Sequence, residues 1–309
     1  MTQLREPHYA RAEILFCDIE NIHVMRKALA VMQKAHLREC AARIERVERE
    51  AAKCHGWAPP PTTQGDAAHA AAAMRGAMGR AVVESGWGHH VRMVLRAAVR
   101  AAREVHLRRR PVLVHCSDGW DRTPQICALT ELLLDPTYRT LAGFELLVYR
   151  EWCAFGHKFA QRLKLTSHSS EESPIFVQWL DCVHQLLAQF PTAFEFNESL
   201  LVFLATYAQS AWFADFLFDT EKERRAHAAY GRAPSVWDAV RGSEAAFRNP
   251  LYVAPINRVI VPDCTGEAFR LWVGFYLRGE DSGSQEEVRA YVVDPRFEGA
   301  LRYTGATMW

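Results

Sequence analysis

The stretch Val112–Gln125, VLVHCSDGWDRTPQ, constrains this chain more than any other. Val112 to His115 read as an apolar strand. The sequence then turns abruptly polar through Cys116, Ser117, Asp118, Gly119, Trp120, Asp121 and Arg122. Gly119 lets the backbone curl back on itself. Thr123 and Pro124 then open a helix, because a proline in the first turn has no N–H to waste. A strand that breaks into a tight polar loop and restarts as a helix directs the chain toward an α/β architecture.

The rest of the sequence extends that expectation. Glu13 to Ile19 reads as a second short buried strand, and helices are expected at about 24–53, 88–107, 124–134, 143–163, 174–189, 196–217 and 266–277. The expected fold is α/β: a central sheet flanked by helices, with a largely helical C-terminal half. Residues 1–309 are expected to form a single domain, with a disordered insertion at about 54–80, where three prolines, several glycines and an alanine run break all periodicity. In the helix before the loop, Val91, Val94, Leu95, Ala98, Val99, Ala102 and Val105 recur at helical spacing, and Arg92, Arg96, Arg100 and Arg103 line the other side as a solvated face.

Composition excludes several classes. The chain has 309 residues, is 49% hydrophobic and 24% charged, and carries a formal net charge of +1. Nothing in that balance draws it to nucleic acid. The N-terminus has no basic segment leading into an apolar core, which argues against a secretory signal. Leu200–Phe218 has the length of a membrane span, but Asp215 falls inside it, so it reads as a buried helix. The eight cysteines show no C-x-x-C pair, so they read as reduced thiols in a cytosolic protein and no metal centre is expected.

Cys116 and Arg122 form a C-x5-R pattern, which is weak by itself: Cys40 with Arg46 and Cys264 with Arg270 also match. The Cys40 copy has no glycine and lies in a helical pattern. The Cys264 copy has Pro262 and Asp263 before it and Leu271, not a hydroxyl residue, after it. Only the Cys116 copy carries every element of an anion site. Loop amides converge on one point, a helix N-terminus adds its dipole, and Arg122 offers a two-toothed clamp for phosphate oxygens. The same field favours a thiolate, which could attack a phosphate monoester. Asp118 and Asp121 are the nearby carboxyl groups for proton transfer. The structural alternative is a capped strand-to-helix turn with a buried thiol.

HCSDGWDRT, His115 to Thr123, resembles the signature loop of the myotubularin family of phosphoinositide phosphatases. Further stretches are similar to that family: DIENIHVMR (18–26), ESGW (84–87), YRTLAGFELLVYREWCAFGHKF (138–159), QFPTAFEFNE (189–198), NPLY (249–252) and LWVGFYLR (271–278). The resemblance implies removal of the 3-phosphate from phosphatidylinositol 3-phosphate and phosphatidylinositol 3,5-bisphosphate, without metal or other cofactor. It implies that Cys116 is the nucleophile, Arg122 the phosphate clamp, and Asp121 the acid and water activator. Ser117, Asp118, Gly119 and Trp120 would line the pocket, Asn21 and Ile22 would touch the headgroup, and Lys158 and Arg162, four apart, would meet an additional phosphate.

The resemblance also implies a cytoplasmic protein peripheral on endosomal-type membranes, whose partners are a phosphoinositide lipid and another myotubularin-like chain. The family's PH-GRAM domain, the opening part of its catalytic domain and its C-terminal coiled coil have no counterpart here, so the chain is expected to represent the C-terminal part of a catalytic domain. Three functions follow: an active lipid phosphatase, a non-enzymatic partner, or a protein tyrosine or dual-specificity phosphatase with the same loop chemistry.

Overall fold

The computed structural model describes residues 3–5, 12–53, 64–165, 170–254 and 259–277. Helices make up nearly all of its regular structure. The chain opens with a short antiparallel ladder, β1 (Gln3–Arg5) against β2 (Glu13–Leu15), with Leu4 opposite Ile14. Helices α1 (Ile22–Lys53) and α2 (Gln64–Ser85) follow and pack on each other. Residues 64–80 of the segment expected to be disordered are therefore helical; residues 54–63 lie outside the described residues.

Gly86, at φ 70°, turns the chain into α3 (Trp87–His106). This positive φ suits a residue without Cβ. The apolar positions read from the sequence are the buried face of α3, apart from Val105, which is exposed. On the other face Glu104 gathers Arg100 and Arg108 at 3.1 and 2.9 Å. Helix α4 (Arg122–Leu134) packs along α3. Its Gln125 side chain donates to the Ile175 carbonyl and the Gln178 side chain, which fixes the helix to α7 (Ile175–Gln189).

Between α4 and α7 come α5 (Leu141–Val148), a π-helical turn (Tyr149–Ala154) and the single turn α6 (Phe159–Arg162). The Thr140 hydroxyl caps α5 by accepting from the Gly143 amide at 3.0 Å. At Gly143 an added Cβ would lie 1.8 Å from the Thr137 carbonyl, so only glycine fits. Beyond α7 lie α8 (Glu198–Tyr207), α9 (Glu221–Ala226), α10 (Ala229–Arg232), α11 (Val236–Gly242), α12 (Glu244–Phe247) and α13 (Val273–Tyr276). One core runs through most of these helices, α9 and α10 excepted. Its centre is aromatic: Phe144 stacks on Trp179 at 5.6 Å, and Trp152 meets Phe176 edge-on at 5.0 Å.

The expected α/β fold, with a central sheet flanked by helices, is contradicted. Among the described residues the only sheet is the β1–β2 pair. Val112–His115 joins no ladder, and Leu113 is 88% exposed. Only Val114 packs inward, with Cys17 and Ile19, on Ala97, Ala101 and Ile126 of α3 and α4. The expected strand 13–19 shortens to Glu13–Leu15. The physical reason is lateral: a strand needs neighbours for its N–H and C=O groups. A short apolar run reads the same whether it is paired or merely laid across helices.

The window Leu200–Phe218 is α-helical only to Tyr207 and adds a single 3-10 turn at Ala214–Phe216. Buried Asp215 accepts from the Val236 amide and the Ser235 hydroxyl at 2.7 and 3.1 Å. No helix among the described residues is long and apolar enough to cross a membrane.

Candidate active site

The loop 116–122 hangs between the 112–115 segment and the N-terminus of α4. Gly119 has φ 91°, a conformation that curls the loop around the thiol. The Gly119 amide donates to Cys116 Sγ at 3.1 Å and the Thr123 hydroxyl donates to it at 3.4 Å. Burial on its own would raise the thiol. The hydrogen bonds from Thr123 and from the amides of Gly119, Asp118 and Thr123 together outweigh burial and bring it down to about 7. The other cysteines whose shifts are resolved are all pushed upward by burial. Cys116 is thus distinguished from them by its hydrogen bonds.

Arg122 folds back over the same loop. Its Nη2 donates to the Ser117 hydroxyl at 3.2 Å and its Nη1 to the Ile19 carbonyl at 3.4 Å. It forms no ion pair among the described residues, so its charge is available to an anion. The Ser117 hydroxyl in turn donates to Asp118 Oδ2 at 3.0 Å, and both residues are exposed. The Ile19 contact brings the segment that leads to Asn21 and Ile22 beside the loop. Asn21 Oδ1 is occupied as the cap of α1, accepting from the His23 and Val24 amides at 3.0 and 3.2 Å. The Ile22 carbonyl accepts from the Ser173 hydroxyl.

Asp121, Lys158 and Arg162 also converge on the loop, though in a way that spacing does not reveal. Lys158 Nζ lies 4.1 Å from the centroid of the Trp120 ring, a cation–π contact. Arg162 is 4% exposed and is committed to Asp121: Nε donates to Oδ1 at 3.0 Å and Nη2 to Oδ2 at 2.8 Å. Its Nη1 reaches Glu171. His157 Nδ1 is 3.4 Å from Asp121 Oδ1. Burial pushes the Asp121 carboxyl up, but His157 and Arg162 more than offset this and hold it down to about 2.

Sequence reasoning overlooked two participants. Thr123 had a local signal, a hydroxyl residue directly after the arginine. His157, 35 or more residues from every part of the loop in sequence, touches the Trp120 carbonyl and had none. The other two C-x5-R copies make no such site. Cys40 lies within α1, contacting His36, and Cys264 sits in an irregular turn before residues 270–272.

A thiol held by loop amides and a hydroxyl at a helix start, with an arginine reaching the same loop, is an arrangement able to receive an anion. The family model for the myotubularin-like phosphatase domain matches residues 2–225. Myotubularin of Xenopus laevis is 35% identical over 276 residues, 88% of this chain and 40% of that protein. Myotubularin of Rattus norvegicus is 37% identical over the same length. The mouse phosphatidylinositol-3,5-bisphosphate 3-phosphatase MTMR4 is 38% identical over 275 residues, 88% of this chain and 20% of its own length. The chain belongs to the myotubularin family, and it spans less than half the length of these relatives.

Proposed function

We propose that this chain acts as a phosphoinositide 3-phosphatase on phosphatidylinositol 3-phosphate and 3,5-bisphosphate, as a cytoplasmic protein peripheral on endosomal-type membranes. The observation that carries the proposal is Cys116 Sγ, which accepts from the Gly119 amide and the Thr123 hydroxyl at the start of α4, while the Arg122 guanidinium reaches Ser117 of the same loop. The name of the mouse relative, a phosphatidylinositol-3,5-bisphosphate 3-phosphatase, supports the choice of substrate.

In the proposed reaction the Cys116 thiolate attacks the 3-phosphorus. A P–S bond forms as the P–O bond to the inositol oxygen breaks, and the leaving oxygen takes a proton. Water then attacks phosphorus, the P–S bond breaks, and the thiolate returns as inorganic phosphate leaves. Arg122 and the loop amides hold the charge that builds on the phosphoryl oxygens. Ser117, Asp118, Gly119 and Trp120 form the rest of the loop, with Asn21, Ile22 and Lys158 at its margins. Asp121 is the proposed proton carrier, and it can donate only after its carboxylate leaves Arg162. An additional phosphate on the substrate, by competing for Arg162, would release it.

One observation favours a second reading, a phosphoinositide-binding chain without turnover that partners another myotubularin-like chain. The Asp121 carboxyl is held down and paired with Arg162, so it is not poised to donate a proton to the leaving oxygen. Phosphate release from short-chain 3-phosphoinositides separates the readings, with a phosphotyrosine peptide as control and Cys116→Ser as blank. The phosphatase reading expects lipid turnover that the substitution abolishes. Binding of the lipid with a flat trace would replace it by the second reading, and preference for the peptide would overturn the substrate class.

A further inference from the structure

We propose that His157 is a positioning residue for the loop: it pins the Trp120 carbonyl outward so that the Asp121 amide faces the anion. The inference rests on the phosphate-loop reading above and adds to it a residue outside the C-x5-R segment.

His157 follows Gly156, whose φ of 83° reverses the chain after the π-helical turn. The imidazole is 1% exposed. It is wedged edge-on between Trp152 and Phe159, at centroid distances of 4.8 Å to each and interplanar angles of 82° and 87°. It therefore has no room to swing. Nδ1 lies 2.7 Å from the Trp120 carbonyl oxygen. A carbonyl oxygen only accepts, so Nδ1 carries the proton. In a trans peptide the C=O and the following N–H point in opposite directions. Holding the Trp120 carbonyl against His157 turns the Asp121 N–H to the side of the loop away from His157. No backbone carbonyl among the described residues accepts from that N–H.

The ring's other nitrogen supports the assignment. His157 Nε2 is buried and has no partner among the described residues. As core filler between Trp152 and Phe159, histidine is a poor choice, because phenylalanine would fill the same space without a stranded polar atom. The hydrogen bond to the loop is the compensating contact. The same Nδ1, 3.4 Å from Asp121 Oδ1, steadies the carboxylate next to the peptide it orients.

Two variants test this. His157→Phe keeps the ring and removes the donor, whereas His157→Asn restores a donor at about the place of Nδ1. The primary reading is how strongly inorganic phosphate and vanadate protect Cys116 from alkylation by iodoacetate. His157→Phe is expected to weaken protection roughly tenfold or more, the effect of losing one oriented oxyanion donor, and to lower kcat more than it raises KM. His157→Asn should recover most of the loss. The pH profile of alkylation should stay in place, because the thiol is held by Thr123, Gly119 and Asp118. If His157→Phe does not fold, His157→Ala is read in its stead, with the same expectation. Protection equal to wild type in the donor-less variants, or no recovery in His157→Asn, overturns the assignment. A folded wild type that neither anion protects overturns the loop reading and the assignment together. Protection without turnover removes the enzymatic reading alone.

Discussion

At the scale of residues, Cys116 and Asp121 are both acidified, by different means. The thiol is reached by short-range donors from its own loop and the start of α4, the carboxylate by His157 and Arg162, 36 and 41 positions away. Asp121 sits at about 2, below the ordinary carboxylate value of 3.8, so its charged form favours folding. That contribution is present above pH ~4 and is lost as pH falls through about 2, and it is on the order of 2 kcal/mol. Arg162→Ala leaves the burial and removes the offsetting charge, so the Asp121 carboxyl must rise. Urea unfolding should show a deficit of about 3 kcal/mol at pH 7 that narrows as pH falls toward 2. A deficit of constant size across that range would mean that the guanidinium serves only packing. Cys116, Arg122 and Thr123 were legible in the sequence because the loop is covalently local. The Asp121–Arg162 and Trp120–His157 contacts were not, because only folding brings them together. The resemblance set Arg162 beside Lys158 as a cation for an additional phosphate, whereas folding commits it to Asp121.

At the scale of elements, the sequence located α3, α4 and α7 well: α3 keeps a 3.6-residue apolar rhythm, and α4 and α7 are apolar runs with a proline at or just before the first turn, Pro124 and Pro174. It ran the 143–163 helix too long, since the π-helical turn and Gly156 break it without disturbing the apolar pattern. It also could not see that a buried carboxylate on α7 ties α13, at the end of the 259–277 segment, to the start of α3. Asp181 accepts from Trp87 Nε1 at 2.7 Å, the Tyr276 hydroxyl at 2.9 Å and the Gln185 side chain at 2.8 Å. These donors belong to the start of α3, to α7 and to α13. Burial still dominates and raises the Asp181 carboxyl to about 6. Its ionisation therefore works against folding, and this contribution weakens stability as pH climbs from ~4 through 6. Asp181→Ala strands three buried donors and should cost about 3–5 kcal/mol, whereas Tyr276→Phe removes one hydrogen bond and should cost about 1 kcal/mol. Equal costs in chemical denaturation would show that the carboxylate is not the shared anchor.

At the scale of the whole molecule, the loop is carried by the aromatic core. Trp152 is fully buried, meets Phe176 and Trp179, and forms one wall around His157, so the core's centre and the loop's outer contact are one packed unit. On the other side of the loop, Val112 and Leu113 lead into Cys116 almost without cover, 40% and 88% exposed. The two sides should respond oppositely to substitution. If Val112–His115 were a central strand, as its apolar run suggests, Leu113→Asp would bury a charge and unfold the chain. On the surface observed here it should change stability by no more than about 0.5 kcal/mol. Trp152→Ala should cost about 3–5 kcal/mol through the cavity it leaves. It should also weaken phosphate protection of Cys116, because His157 loses a wall. Thermal and urea unfolding of the two variants, read beside the alkylation assay, decide the matter. A destabilising Leu113→Asp would restore the sheet as the scaffold of the loop. A Trp152→Ala that lowers stability while leaving phosphate protection intact would separate the core from the site.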